Sequence, residues 1–273
     1  MTENKDKNGL TEKEFLASYS DKGYEKPSVS VDIMVLSRSA DFSSLKILLI
    51  KRGEPPFLNC WALPGGFIRK NETAYQAASR ELEEETSLRG VYLNQVYTFT
   101  NPARDPRSWV MSVAYLALVS DLASVSAKDD AIDAAWFDLK IDSGKITIEN
   151  EALGVRMFYS LETKQFQNGK IHYENWVAKA ESSEKLAFDH IEIIIEAFLK
   201  LKEKFEHTDL AFNMAGDKFT LPDLQTLFEL VLCKKLYKTN FRLLVASKVE
   251  ATGEKRKSAI SGKLSAEYTY KAQ

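Results

Sequence analysis

The sequence predicts an α/β chain: an α/β/α sandwich on a mixed sheet to about residue 212, then a small α+β module over residues 213–273. Three observations carry this reading. Runs rich in Val, Ile and Leu alternate with polar turns through the first half, one strongly acidic helix interrupts them, and two amphipathic segments with a basic hairpin close the chain.

Thr11 and Glu14 have the spacing of a capping box, which opens a short helix through Phe15 and Leu16. Pro27 ends whatever precedes the first strand. Residues 29–36 and 46–51, separated by SRSADFSS, read as neighbouring strands. Arg52-Gly53-Glu54-Pro55-Pro56 is a turn cluster. Between Glu72 and Leu88 there is no Gly or Pro, and Thr73 with Gln76 supplies a second capping box, so a helix starts there. Within it Glu81, Glu84 and Glu85 fall at i, i+3 and i+4 and share one face. Like charges so spaced disfavour a helix by about a few tenths of a kcal/mol per pair, which calls for a cation opposite them. A hard divalent ion with oxygen ligands answers that need; a solvated acidic face is the alternative for such a run taken alone.

Residues 91–100 and 109–119 are two further strands. Between them Arg104 and Arg107 sit on the Pro-fixed loop Asn101-Pro102-Ala103-Arg104-Asp105-Pro106-Arg107. Two guanidiniums there suit a pyrophosphate, whereas a salt-bridged turn around Asp105 is the competing reading. Asp129, Asp130 and Asp133 form an acidic turn that leads into an aromatic strand with Trp136 and Phe137. Residues 146–180 contain the hairpin signal Asn168-Gly169 and read as an insertion in the larger domain. Asp189 is the expected N-cap of a long helix whose apolar stripe is Ile191, Ile194, Ile195, Phe198, Leu201 and Phe205. Thr220, Pro222 and Asp223 start another helix with Leu224, Leu227, Phe228 and Val231 on its apolar face. A second helix over about 238–247 and strand-like segments around 253–257 and 261–263 complete the outline of a winged helix.

A hydrophobic content of 44% and a charged content of 28% are those of a soluble globular protein. No stretch is apolar enough to span a membrane, and the polar N-terminus is no signal peptide, so the expected location is the cytoplasm. Cys60 and Cys233 are too few for a disulfide framework, and His172, His190 and His207 are scattered, which argues against zinc. From residue 220 onward ten Lys or Arg face five Asp or Glu, although the chain as a whole carries −2. Only this tail is suited to a polyanion.

Trp61-Ala62-Leu63-Pro64-Gly65-Gly66, Glu72 beyond it, then Arg80-Glu81-Leu82 with Glu84 and Glu85 at the family spacing, resembles the Nudix box. Ser87 departs from it, standing where the family has Gly; it bears on the exit from the helix, where Gly suits a left-handed residue. The resemblance implies that Gly66, through its carbonyl, and Glu81, Glu84 and Glu85 form a shell for Mg²⁺ or Mn²⁺. It implies also that Glu72 and Arg80 brace the loop against the helix, while Gly65 lets a ligand approach the backbone. Arg52 resembles the family's substrate-side Arg, or is a surface charge. Arg104, Arg107 and the following Ser112-Val113-Ala114-Tyr115 resemble the branch that handles ADP-ribose. The segments FTLPDLQTLFE and TNFR resemble the C-terminal module of Nudix-related transcription regulators of NAD metabolism.

Two functions follow from the resemblance. One is a Mg²⁺-dependent pyrophosphohydrolase that cleaves ADP-ribose to AMP and ribose 5-phosphate, with Glu84 or one of Asp129, Asp130 and Asp133 taking the proton of water. The other is a regulator that senses ADP-ribose or a sugar-nucleotide and binds duplex DNA with little or no turnover. In it the second helix of the module would offer Lys238, Asn240 and Arg242 to the major groove, and the wing Lys255, Arg256 and Lys257 to phosphates. Winged helices also serve as protein-interaction units. Retention of Glu72, Arg80, Glu81, Glu84 and Glu85 favours catalysis, and ADP-ribose-handling relatives imply a homodimer.

Overall fold

Residues 30–38 are buried without alternation, because the strand that holds them runs through the middle of a sheet covered on both faces. The computed structural model describes residues 4–20, 23–120, 122, 131–142 and 144–271. In chain order its elements are α1 (Glu12–Ser18), β1 (Ser28–Arg38), β2 (Leu45–Arg52), β3 (Trp61–Ala62), β4 (Gly65–Phe67) and α2 (Ala74–Thr86). Then come β5 (Tyr92–Phe99), β6 (Val110–Leu118), β7 (Ala131–Asp142), β8 (Lys145–Asn150), β9 (Val155–Asn168), β10 (Ile171–Ala180) and α3 (His190–Phe205). The chain ends with α4 (Phe212–Ala215), β11 (Phe219–Thr220), α5 (Leu221–Leu232), α6 (Lys238–Val245), β12 (Val249–Lys257) and β13 (Leu264–Tyr270).

The main sheet has the order β10-β9-β8-β7-β2-β1-β6-β5, with β3 on β2 and β4 on β1. The β1–β6 pair is parallel and its neighbours are antiparallel, so the sheet is mixed, as the sequence predicts. The period of two along β1 sorts the layers. Val31, Ile33 and Val35 join Ala77, Ala78 and Leu82 of α2, whereas Met34 and Leu36 join Ile194, Phe198 and Leu201 of α3. Asp32 stands on the α3 side of that alternation.

A second sheet, β11-β13-β12, packs with α5 and α6 as a winged helix. One hydrophobic core runs from the main sheet through α3 into this module. Phe205 of α3 meets Phe228 of α5 with ring centroids 4.8 Å apart, and Phe228 in turn meets Phe241 of α6 at 5.3 Å. Polar contacts add to it: Arg38 Nε donates to the Met214 carbonyl at 3.0 Å, and Lys248 pairs with Asp209 at 2.9 Å. Thr220 caps α5 as expected, and Asp223 also accepts from Ser258 Oγ at 2.8 Å, which fixes the wing to the helix start.

Three local readings change. In the segment expected as an insertion, β8, β9 and β10 continue the main sheet beyond β7. Its tight turn falls at Gly169 and Lys170, one residue later than Asn168-Gly169, because Asn168 already pairs with Ile171 and Gly169 takes the positive φ of +61°. Residues 261–263 are the wing turn, not a strand. Asp189 stands at the N-cap of α3 but makes no side-chain cap bond, because its carboxylate is engaged elsewhere.

Candidate functional site

The box loop is pinned before any ligand is considered. Ile33 N–H donates to the Pro64 carbonyl at 2.8 Å, and Gly65 and Gly66 lie opposite Asp32 and Val31 in the β1–β4 register. A Cβ on Gly65 would stand 2.1 Å from the Val31 carbonyl oxygen, and one on Gly66 would stand 2.3 Å from Glu81 Oε1. Gly65 therefore excludes a side chain, because backbone blocks it, whereas at Gly66 only the end of the Glu81 side chain stands in the way. The capping box of Thr73 and Gln76 fixes where α2 begins, and hence which residues face that loop. At the far end Ser87 takes φ +66°, the left-handed conformation for which the family uses Gly.

Arg80 is the hub of the acidic face. Its guanidinium reaches Glu72 Oε1 at 2.5 Å, Glu81 Oε1 at 2.6 Å, Glu84 Oε2 at 2.9 Å and the Phe67 carbonyl at 3.2 Å. Bonds from Arg80 and from the Arg69 amide pull the Glu72 carboxyl down to about 2. Burial pushes the Glu81 carboxyl up in spite of Arg80. Glu85 instead accepts from the Gly65 N–H at 2.8 Å. Glu81 and Glu84 thus share one nitrogen of Arg80 while Glu85 turns to the loop, and among the described residues no three acidic or imidazole groups converge as a ready metal cluster.

Beside the acidic face lies a cleft lined by Asp32, Arg52, Gly65, Arg104, Arg107 and Phe188. It brings together all four residues expected on the substrate side, but their guanidiniums differ. Arg104 is buried and bonded to Asp32 Oδ2 at 3.0 Å and to Asp189 Oδ1 at 2.7 Å. Arg107 pairs with its neighbour Asp105 at 2.7 Å. Arg52 donates to the carbonyls of Pro56 and Glu54 at 2.9 and 3.3 Å and stands 5.0 Å from the Phe188 ring centre. Burial and the nearby Arg107 both lower its pKa. Arg107 also stands over that ring, 5.7 Å from its centre, so two guanidiniums share the Phe188 face.

Asp32 and His190 were not singled out by the sequence as functional. Burial opposes the charge on Asp32, yet the His190 imidazole, the Arg104 guanidinium and the Ser112 hydroxyl all face it and hold its carboxyl well below the usual range. Ser112 Oγ donates to Asp32 at 2.5 Å. His190 Nδ1 accepts from the Leu63 N–H at 2.9 Å, which leaves its Nε2 side toward Asp32, 3.4 Å away. The available signal was a lone acid inside the apolar strand SVSVDIMVL. Of the later acids, Asp129 and Asp130 lie outside the described residues. Asp133 is exposed on β7, with its carboxylate on the Ala134 N–H at 2.8 Å.

On the winged helix, Lys238, Asn240 and Arg242 are exposed along α6 while Phe241 and Val245 turn inward. Lys255 and Lys257 are exposed on β12, but Arg256 is tied back to the Lys218 carbonyl at 2.6 Å. Residues 26–142 match the model of the NUDIX domain, and residues 211–270 match the NrtR DNA-binding winged helix domain. Over 261 residues, 94% of this chain and 86% of the relative, it is 30% identical to the ADPR responsive transcriptional repressor NtrR of Acinetobacter baylyi.

The chain belongs to the NrtR-type Nudix proteins.

A Nudix relative without that whole-chain match, the ADP-ribose pyrophosphatase of Methanocaldococcus jannaschii, is 37% identical over 130 residues, 48% of this chain and 72% of its own. Among solved structures, a MutT/nudix family protein from Enterococcus faecalis superimposes with a TM-score of 0.78 at 32% identity, covering 96% of this chain and 94% of that one. Shewanella oneidensis NrtR complexed with a 27mer DNA gives 0.62 at 29% identity, over 89% and 93%. The NrtR-type architecture therefore extends through both the Nudix sheet and the winged helix.

Proposed function

We propose that this chain is a DNA-binding regulator whose Nudix cleft takes ADP-ribose. The observation that carries the reading is α3, which belongs to both halves at once. Its first residues, His190 with Asp189 before it, form a wall of the cleft, and its last, Phe205, packs on α5 of the winged helix. Arg52 and Arg107 face the diphosphate, and Arg104 holds the wall. Lys238, Asn240 and Arg242 enter the major groove, with Lys255 and Lys257 on phosphates and Arg256 beside them. The whole-chain relative that is an ADPR responsive repressor supports this assignment.

Hydrolysis is the second reading, supported by the complete set of box carboxylates and by the pyrophosphatase relative. The donors fit a hard divalent ion such as Mg²⁺: they are all oxygens, Gly66 leaves open the space beside Glu81, and the guanidinium of Arg80 already stands as a cation between Glu81 and Glu84. Gly66, Glu81, Glu84 and Glu85 would hold it, and when bound it would supply Lewis-acid polarisation of the phosphoryl oxygens. Glu72 keeps Arg80 in place, and Glu84 is the side chain to receive a proton from water.

The deciding experiment titrates the purified full chain into a labelled duplex from the promoter of its own gene, with and without ADP-ribose, and in parallel follows AMP release with Mg²⁺. Salt-sensitive binding that ADP-ribose weakens supports the regulator. AMP release that Glu84→Gln abolishes supports the hydrolase; neither DNA binding nor turnover would sink both.

A further inference from the structure

Of the eight residues of α6 only Phe241 and Val245 are buried, at 2% and 1% exposure, whereas Leu243 between them is 74% exposed. On a helix that advances about 100° per residue, Leu243 stands about 180° from the midline of that buried pair and so forms the crest. Thr239 and Asn240, four and three residues earlier, adjoin it on the same ridge and are exposed as well. A single exposed leucine is ordinary on a protein surface. This one is set apart by its place, on the outermost line of the helix assigned to the groove, where none of the roles of Lys238, Asn240 and Arg242 uses it.

The charge around the crest favours a polyanion over a protein as its occupant. α6 carries Lys238 and Arg242 and no acidic residue, and both lie on one flank, nearer the buried pair than Leu243 is. Lys255 and Lys257 of β12 add exposed positive charge from the same module. On the base edges of the major groove the one apolar group is the methyl of thymine, and its adenine partner offers the N7 acceptor and N6 donor that an Asn side chain matches. Along the helix Asn240 and Leu243 are separated by about 4.5 Å, against about 3.4 Å between base pairs. Both therefore reach one base pair or two adjacent ones. We infer that Leu243 reads sequence by seating on the methyl of a thymine in the major groove, with Asn240 on the adenine of that pair or of the next. The basic flank and wing then supply affinity, and this leucine supplies part of the choice of site.

This inference rests on the DNA-binding reading of α6, and the test separates the two. Anisotropy titrations of the full chain, without ADP-ribose, use the duplex from the promoter of its own gene in two forms. One carries thymine; the other carries deoxyuridine at every thymine position, which removes only the methyls. Wild type is expected to bind the uracil form about fourfold more weakly, the effect of one buried methyl-sized group. Leu243→Ala should bind the thymine form at least that much more weakly than wild type does and lose the difference between the two forms. Its salt slope should stay that of wild type, since no phosphate contact is gone. Leu243→Met keeps an apolar contact and should retain the difference. Equal binding of the two forms by wild type, or a ratio that Leu243→Ala leaves unchanged, overturns the methyl contact while the DNA-binding reading stands. Leu243→Ala that binds both forms as tightly as wild type overturns it too and gives the crest to a protein partner. Wild type that binds neither form overturns both.

Discussion

Arg104, on the loop after β5, joins Asp189 at the start of α3 to Asp32 on β1, with bonds of 2.7 and 3.0 Å and a side chain only 4% exposed. Two carboxylates share one guanidinium in a buried place, so each is held by a charge it cannot replace from solvent. The cost of removing one partner follows from that. Asp189→Asn is expected to destabilise the chain by about 3 kcal/mol, the low end for a broken buried pair because Asp32 stays bonded. Urea unfolding measures it, and a loss below about 1 kcal/mol would mean that the clasp is dispensable. If α3 carries the signal from cleft to winged helix, the same variant also loses most of the effect of ADP-ribose on DNA affinity.

That clasp also marks where sequence reasoning stopped. The box, both capping boxes, the strands flanking them and the winged-helix outline were legible because each depends on neighbours within a few residues. Thr73 and Gln76 announce α2 by themselves, and Leu224, Leu227, Phe228 and Val231 announce the inner face of α5. Asp32, Arg104 and Asp189 are separated by 72 and 85 residues, so nothing local says that they meet. Asp189 was legible as a helix start but not as an ion-pair partner, since both uses ask for the same residue type at the same place. The hairpin of β9 and β10 was visible as a turn, but its place in the main sheet depends on pairing with β8 and is a tertiary fact.

The two glycines of the box loop are expected to respond differently to alanine. At Gly65 the new methyl meets the Val31 carbonyl oxygen at 2.1 Å, and backbone on a central strand cannot retreat. Gly65→Ala should cost about 3 kcal/mol, the upper range for overpacking. At Gly66 it meets Glu81 Oε1 at 2.3 Å, the far end of a flexible side chain that can rotate to another rotamer. Gly66→Ala should cost about 1 kcal/mol or less while weakening binding of a divalent ion. Thermal unfolding together with a Mn²⁺ titration distinguishes them, and equal destabilisation would refute the distinction.

Glu72 gives the fold a pH dependence whose sign is fixed. Its carboxyl lies at about 2 when folded, below the ordinary 4.5, chiefly because Arg80 bonds to the charged form. The folded chain therefore binds its proton less readily than the unfolded chain. This contribution is fully present above pH 4.5 and is lost as the pH falls toward about 2. The difference in Tm between wild type and Glu72→Gln should be largest above pH 5 and shrink through that window. A difference that stays constant down to pH 3 would show that the Glu72–Arg80 pair acts only by shape.

On the wing, three consecutive basic residues are not equivalent. Lys255 and Lys257 are exposed, and their side chains make no hydrogen bond or ion pair among the described residues, so they can release counterions from a phosphate backbone. Arg256 donates to the Lys218 carbonyl at 2.6 Å and lies 3.7 Å from Glu267, so its charge is partly spent inside the module. Lys255→Ala and Lys257→Ala should each reduce the slope of log affinity against log salt by about 0.9. Arg256→Ala should change that slope less and lower the Tm instead, because the bond that joins β12 to the segment before β11 is gone. Anisotropy titrations between low and moderate salt decide the matter. If Arg256→Ala flattens the slope as much as its neighbours do, Arg256 leaves Lys218 on meeting DNA and serves as a phosphate contact in its own right.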